Sequence, residues 1–151
     1  MKIAIACDHA GFPVKGIVIK EVEKLGHEVI NLGTDSCDAV DYPDITEKLC
    51  NTIISGRAER GILICGSGIG ACITANKFKG IRASIAHDIY SAGQGVEHDD
   101  MNVLCLGGRV VAAELIPQLV GNFLKAKFQT NEERHARRVQ KLLNIEQRNF
   151  K

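Results

Sequence analysis

The chain has 151 residues, close to the size of one domain, which leaves no room for a second catalytic lobe. Hydrophobic residues at 45% and charged residues at 25% describe an ordinary packed protein and exclude disorder, collagen-like repeats and coiled coil. A formal net charge of +1 excludes a surface that tracks a polyanion, so no nucleic-acid partner is expected. The charge is nevertheless uneven: residues 125–151 carry eight Lys/Arg against three Asp/Glu, a segment able to close over a small anion or simply to form a solvated helix face.

Apolar runs of strand length alternate with segments of helical period, the pattern of repeated βα units. The predicted strands are Lys2 to Cys7, Glu28 to Leu32, Gly61 to Cys65, Arg82 to Ala86 and Asn102 to Leu106. Their continuous apolar character calls for helices on both faces, hence a three-layer α/β/α sandwich around a five-stranded parallel, Rossmann-like sheet. The first helix opens near Pro13, places Val14, Ile17, Val18, Val22 and Leu25 at helical spacing, and stops at Gly26. Further helices are predicted over Ile45 to Ser55, Ile69 to Lys77, Ile89 to Val96, Ala112 to Lys127 and Glu132 to Gln147, with Pro117 in the first turn of the fifth or bending it. No linker or internal repeat interrupts residues 1–151, which read as a single domain ending in a helix over about 130–148.

The six cysteines form no Cys-x-x-Cys pair, and most lie among apolar residues, so reduced thiols in a cytoplasmic protein are expected. The N-terminal apolar run is broken by Asp8, and no apolar stretch approaches the ~18 residues of a membrane span. No membrane association is expected.

Ligands of parallel α/β sheets bind beyond the carboxyl ends of the strands. That edge collects Cys7-Asp8-His9, the run from Cys65 to Gly70, His87-Asp88 and Gly107-Gly108-Arg109. In GILICGSGIGA a buried strand meets glycines 66, 68 and 70 and then a helix. A tight turn explains one glycine; three alternate glycines let successive amides point into one concavity, an anion cradle. The same stretch fits G-x-G-x-x-A through Gly66, Gly68 and Ala71, with Asp88 at a suitable distance for a ribose hydroxyl. A dinucleotide therefore stands as an alternative, although its fingerprint usually opens the first βα unit.

Cys65 precedes the cradle, where nearby amides favour a thiolate; an inert buried thiol is the competing reading, and the one expected for Cys7, Cys50, Cys72 and Cys105. Asp8-His9 and His98-Asp99-Asp100 set imidazole beside carboxylate, read here as loops, where histidine can move protons near neutral pH. Adjacent residues chelate poorly together, so no metal is expected. Arg134 and Arg138, four apart on a predicted helix, form either a phosphate clamp or a solvated pair.

The motifs CDHAGF at 7–12, DYP at 41–43, CGSGIG at 65–70, ANKFKGIRA at 75–83, NVLCLGGRVV at 102–111 and RHARRV at 134–139 occur in an order that resembles the RpiB/LacAB sugar-phosphate isomerases, the ribose 5-phosphate isomerase B family. The resemblance implies interconversion of aldose and ketose phosphates through an enediol, with no metal or other cofactor, by homodimers, in some cases dimers of dimers, whose sites draw on both subunits. It implies Cys65 as the base between C1 and C2, Ser67 as its hydroxyl partner, His98 as the ring-opening histidine and Asp8 as its companion in the pocket. It implies phosphate binding by His9, Arg134 and Arg138, with Arg109 a weaker candidate, and an oxyanion hole from the amides of Gly66, Gly68, Ile69 and Gly70. Asp99 departs from the pattern, since many members carry Asn there; an ionised carboxylate accepts hydrogen bonds but cannot donate them. Ribose 5-phosphate is the expected substrate, with six-carbon and four-carbon sugar phosphates as alternatives. A non-catalytic nucleotide-binding module and a degenerate partner-binding relative are the remaining readings.

Overall fold

A computed structural model describes residues 1–150. Five strands, β1 (Lys2–Cys7), β2 (Glu28–Asn31), β3 (Arg60–Cys65), β4 (Ala83–Ile85) and β5 (Val103–Gly107), form one parallel sheet in the order β2-β1-β3-β5-β4. Six helices alternate with and follow them: α1 (Phe12–Lys24), α2 (Tyr42–Ile54), α3 (Ile69–Ala75), α4 (Ile89–Asp99), α5 (Ile116–Lys125) and α6 (Glu133–Asn149). Because side chains alternate across a strand, each central strand feeds two cores. Ile3, Ile5, Ile62, Ile64, Leu104 and Leu106 pack with Val18, Val22, Val96 and Phe123 of α1, α4 and α5. Ala4, Ala6, Leu63, Cys65, Val103 and Cys105 face Leu49, Cys50, Ala71 and Ala75 of α2 and α3. Burial on both faces explains why β1, β3 and β5 are continuously apolar in sequence.

The strand order reverses between β1 and β3, so the chain ends after these neighbours diverge and open a crevice at the carboxyl edge. Parallel register sets Cys7 beside Ile64 and Cys65 beside Gly107, which brings the three following loops together. They are stitched by Asp8 N–H to Ile64 O (3.1 Å), Gly108 N–H to Cys65 O (2.8 Å) and Arg109 N–H to Gly66 O (3.0 Å).

Several element ends differ from expectation. α2 begins at Tyr42 rather than Ile45, because Pro43 occupies the first turn, a position where its missing N–H costs nothing. Pro117 does the same for α5, which starts at Ile116 rather than Ala112, so the proline sits in the first turn. β2 and β4 are shorter than predicted, β4 being an edge strand paired only with β5. α4 continues past Val96 to Asp99, and Asp100, in the left-handed region with φ 52°, caps it. His98 and Asp99 are therefore helical residues, not loop residues as the sequence suggested. Arg82 reinforces that stop by donating to Asp100 O (2.6 Å) and Asp100 Oδ2 (2.7 Å). No helix among the described residues is long and apolar enough to cross a membrane.

Candidate active site

A cavity of about 360 Å³ lies at the reversal point, walled by Asp8, Tyr42, Cys65, Gly66, Ser67, Gly70, Arg109 and Val110. Asp8 follows β1, where its Oδ1 accepts from the N–H groups of Ala10 (2.9 Å) and Gly11 (3.0 Å); the residue is 6% exposed and its carboxylate is fixed in direction. Cys65 is the last residue of β3, and its Sγ accepts the Gly68 N–H at 3.1 Å. Gly68 reaches that orientation with φ 83°, in the left-handed region that glycine adopts freely. A donated amide hydrogen bond stabilises negative charge on the sulfur.

The cradle is consequently narrower than the glycine spacing implied. Gly68 N–H is committed to Cys65, and Ile69 N–H donates to Ser67 Oγ at 3.3 Å. Gly70, lining the cavity, retains a first-turn amide that the helix itself does not use. The Arg109 guanidinium runs past Gly66, where a Cβ would meet its Nη1 at 3.6 Å. His9, next in sequence to Asp8, lies outside the lining residues; its Nδ1 accepts from Val40 N–H at 3.3 Å, so a neutral ring carries its proton on Nε2.

The other candidates occupy the opposite edge of the sheet. α4 starts where β4 ends and runs back to where β5 begins, a path of roughly 16 Å for a helix of this length. His98, on its last turn, stacks on His135 with ring centroids 3.9 Å apart, and Asp99 is exposed beside it. Arg134 and Arg138 project from the exposed side of α6, Arg134 Nε lying 3.7 Å from Glu132 Oε2. One chain thus carries the candidates in two groups: Asp8, His9, Cys65, Ser67, the glycine loop and Arg109 on one edge, and His98, Asp99, Arg134 and Arg138 on the other.

Asp88 serves the helix that follows it. Its Oδ1 accepts Ser91 N–H at 2.7 Å as the N-cap of α4, and those hydrogen bonds hold its carboxyl below the ordinary aspartate range. Cys72 differs from the other core thiols in its surroundings. It is half-buried, and a hydrogen bond from Cys105 lowers its pKa to about 7, whereas burial pushes Cys7 up to about 11 and Cys50 up to about 12. All six thiols are free.

Tyr42 and Val110 are cavity residues that the sequence reasoning passed over. A Cβ at Gly70 would meet the Tyr42 ring at 2.7 Å, so the absence of a side chain at 70 is what seats the ring.

A family profile described as Ribose/Galactose Isomerase matches residues 3–142. Ribose-5-phosphate isomerase B of Escherichia coli is 42% identical over 147 residues, covering 97% of each chain. The solved ribose-5-phosphate isomerase B of Clostridium thermocellum superposes with a TM-score of 0.93 at 44% identity, over 98% of this chain and 99% of that one. The Mycoplasma genitalium enzyme, solved with bound ribulose-5-phosphate, superposes with a TM-score of 0.89 at 36% identity, over 97% and 96% of the two chains. Agreement in sequence and in backbone thus extends across nearly the full length, cavity loops included, and the chain belongs to the ribose/galactose isomerase family.

Proposed function

We propose that this protein interconverts ribose 5-phosphate and ribulose 5-phosphate through an enediolate, with Cys65 as the base that carries a proton between C2 and C1. The observation that carries this reading is the Cys65 sulfur, seated in a cavity with Asp8 and Ser67 and receiving a backbone N–H at 3.1 Å. The relatives described above supply the substrate class.

The chemistry follows from the acidity of a C–H next to a carbonyl. The Cys65 thiolate takes the C2 proton of the open-chain aldose; the C–H electron pair becomes the C1=C2 double bond and the carbonyl pair moves onto O1. Fixed N–H donors hold that oxyanion at small reorganisation cost, the role assigned to the Gly70 amide and the Ser67 hydroxyl. After a proton passes from O2 to O1, Cys65 returns its proton to C1 and the carbonyl resides at C2. The cyclic aldose must first open, which requires an acid at the ring oxygen and a base at the C1 hydroxyl, a role assigned to His98 with Asp8. Arg134, Arg138, His9 and Arg109 bind the phosphate, Arg by its fork of donors.

Two copies of the chain complete each site in this reading, since His98 and the α6 arginines lie on the edge away from Cys65. Exposed apolar side chains, Val110 at the cavity, Ile69 and Ile73 on α3, and Ile89 and Tyr90 at the start of α4, support a covering subunit, Tyr90 being 75% exposed. The test is isomerisation of four-, five- and six-carbon aldose phosphates after chelator treatment. Ribose 5-phosphate is expected to show the highest kcat/KM, and Cys65→Ala to lose ~10²-fold or more while still binding it. Another aldose phosphate ranking first would replace the pentose assignment, and full activity in Cys65→Ala would remove the thiol from its role.

A further inference from the structure

Outside the Cys65 cavity, buried polar chemistry gathers where the end of α4 meets the start of α6. His135 is 1% exposed, and its Nδ1 has no hydrogen-bond partner among the described residues. A phenylalanine would fill the same space without leaving a polar atom unpaired, so packing alone does not account for an imidazole here. The ring lies against His98 at 3.9 Å between centroids and 26° between planes. On the same helix as His98, one turn earlier, Gln94 sets its Nε2 2.9 Å from His98 Nδ1. An amide nitrogen only donates, so His98 Nδ1 accepts and the neutral ring carries its proton on Nε2.

The two elements are also tied by the backbone: Gln129, in the segment leading to α6, donates its N–H to Glu97 O at 3.0 Å. Burial lowers the pKa of His135, and the proximity of His98 and Arg134 lowers it further, with Arg138 acting the same way and Glu132 opposing. These influences favour the neutral imidazole under His98.

We propose that Gln94 and His135 are positioning residues for His98: Gln94 selects its Nε2–H tautomer and His135 fixes its ring plane, so that one proton-bearing nitrogen faces the ring oxygen of a cyclic sugar phosphate. The inference rests on the reading of His98 as the ring-opening group. A histidine that samples both tautomers presents the required proton only part of the time, and a ring free to tilt presents it at a poor angle; small misplacements of a catalytic group cost ~10²-fold in rate.

Ring opening and proton transfer can be measured separately, because ribulose 5-phosphate has no free hydroxyl with which to close a furanose and enters the site as the open chain. Loss of deuterium from its C1 to water reports the Cys65 step alone. Gln94→Ala and His135→Ala are expected to lower kcat on ribose 5-phosphate about tenfold or more, leaving KM and the deuterium loss within about twofold. His135→Phe should recover much of that rate by restoring the stack. Nitrogen-15 spectra of His98 should show one Nε2–H tautomer in the wild type and a mixture in Gln94→Ala. Equal losses in both reactions, or an unchanged tautomer in Gln94→Ala, would overturn the proposal; so would full ribose 5-phosphate turnover in Gln94→Ala and His135→Ala while His98→Asn loses it. If His98→Asn itself turns over ribose 5-phosphate normally, the assignment of His98 fails first and takes the positioning roles with it. Should His135→Ala not fold, Gln94→Ala and its spectra decide the matter.

Discussion

Gly70 and Tyr42 meet where neither residue type advertises the other. A Cβ at position 70 would sit 2.7 Å from the Tyr42 ring, but that ring is 41% exposed and free to swing outward. Gly70→Ala is therefore expected to fold with little loss of thermal stability while displacing the cavity wall, raising KM for the sugar phosphate several-fold; a changed melting temperature with unchanged KM would refute this. Thiol reactivity is a second residue-scale consequence. With Cys72 near 7 and Cys50 near 12, iodoacetamide at pH 8 should label Cys72 well before Cys50 and Cys7, and the labelling rate should halve as pH falls through about 7. Mass spectrometry of peptides from a Cys37→Ser background reads this directly, and preferential labelling of Cys50 would contradict it. Cys65 and its glycine loop were legible in sequence because strand, glycines and helix are contiguous. Tyr42, Gln94 and His135 were not, because each matters through a partner distant in sequence or through a helix face that only the fold defines.

At the scale of elements, glycine and proline marked boundaries well. Gly26 ends α1 and Pro43 and Pro117 each open a helix, though in the two proline cases the hydrophobic period misplaced the first turn by about one turn. The error at α4 was larger in consequence. Its last turn is polar and lacks the apolar spacing that would have extended it, and what ends it is a left-handed Asp100 held by Arg82. Buried polar contacts between elements escaped sequence reading altogether. Lys15 of α1, 4% exposed, donates to Thr34 O at 2.6 Å and Asn31 Oδ1 at 3.2 Å, and pairs with Asp35 at 2.5 Å, tying α1 to the segment after β2. Lys15→Met is expected to lower stability in urea by about 2–3 kcal/mol, the usual range for a lost charge-assisted hydrogen bond; an unchanged midpoint would contradict it. His87 links β5 to the segment after β4 by accepting Gly107 N–H at 3.0 Å, and burial lowers its pKa from the ordinary 6.5. A histidine held neutral in the folded state contributes stability that is present above 6.5 and lost as pH falls below it, since the unfolded chain binds the proton more readily. His87→Gln, which keeps an acceptor but does not titrate, should flatten the decline of the urea midpoint between pH 7 and pH 5. An identical decline in the variant would remove His87 as its source.

At the scale of the whole molecule, the βα alternation made the sheet legible, and the rule that ligands gather beyond the carboxyl ends of parallel strands led to the cavity between β1 and β3. Only the family resemblance pointed to a divided site; composition and periodicity did not show the candidates separated, because that depends on α4 carrying His98 back to the opposite edge and on α6 docking there. That separation has a consequence no single-chain arrangement shares. In a two-fold dimer each site would pair the Cys65 edge of one subunit with the His98 edge of the other. Cys65→Ala and His98→Asn proteins should each be nearly inactive on ribose 5-phosphate, yet their mixture, unfolded and refolded together, should regain activity. Half of the randomly assembled dimers contain one chain of each kind; in these, one site holds both lesions and the other holds an intact Cys65 facing an intact His98. Recovery should therefore plateau at about a quarter of the wild-type rate and decline as either variant is present in excess. If Cys65 and His98 of one chain worked together, every site in the mixture would carry a lesion and no activity would return.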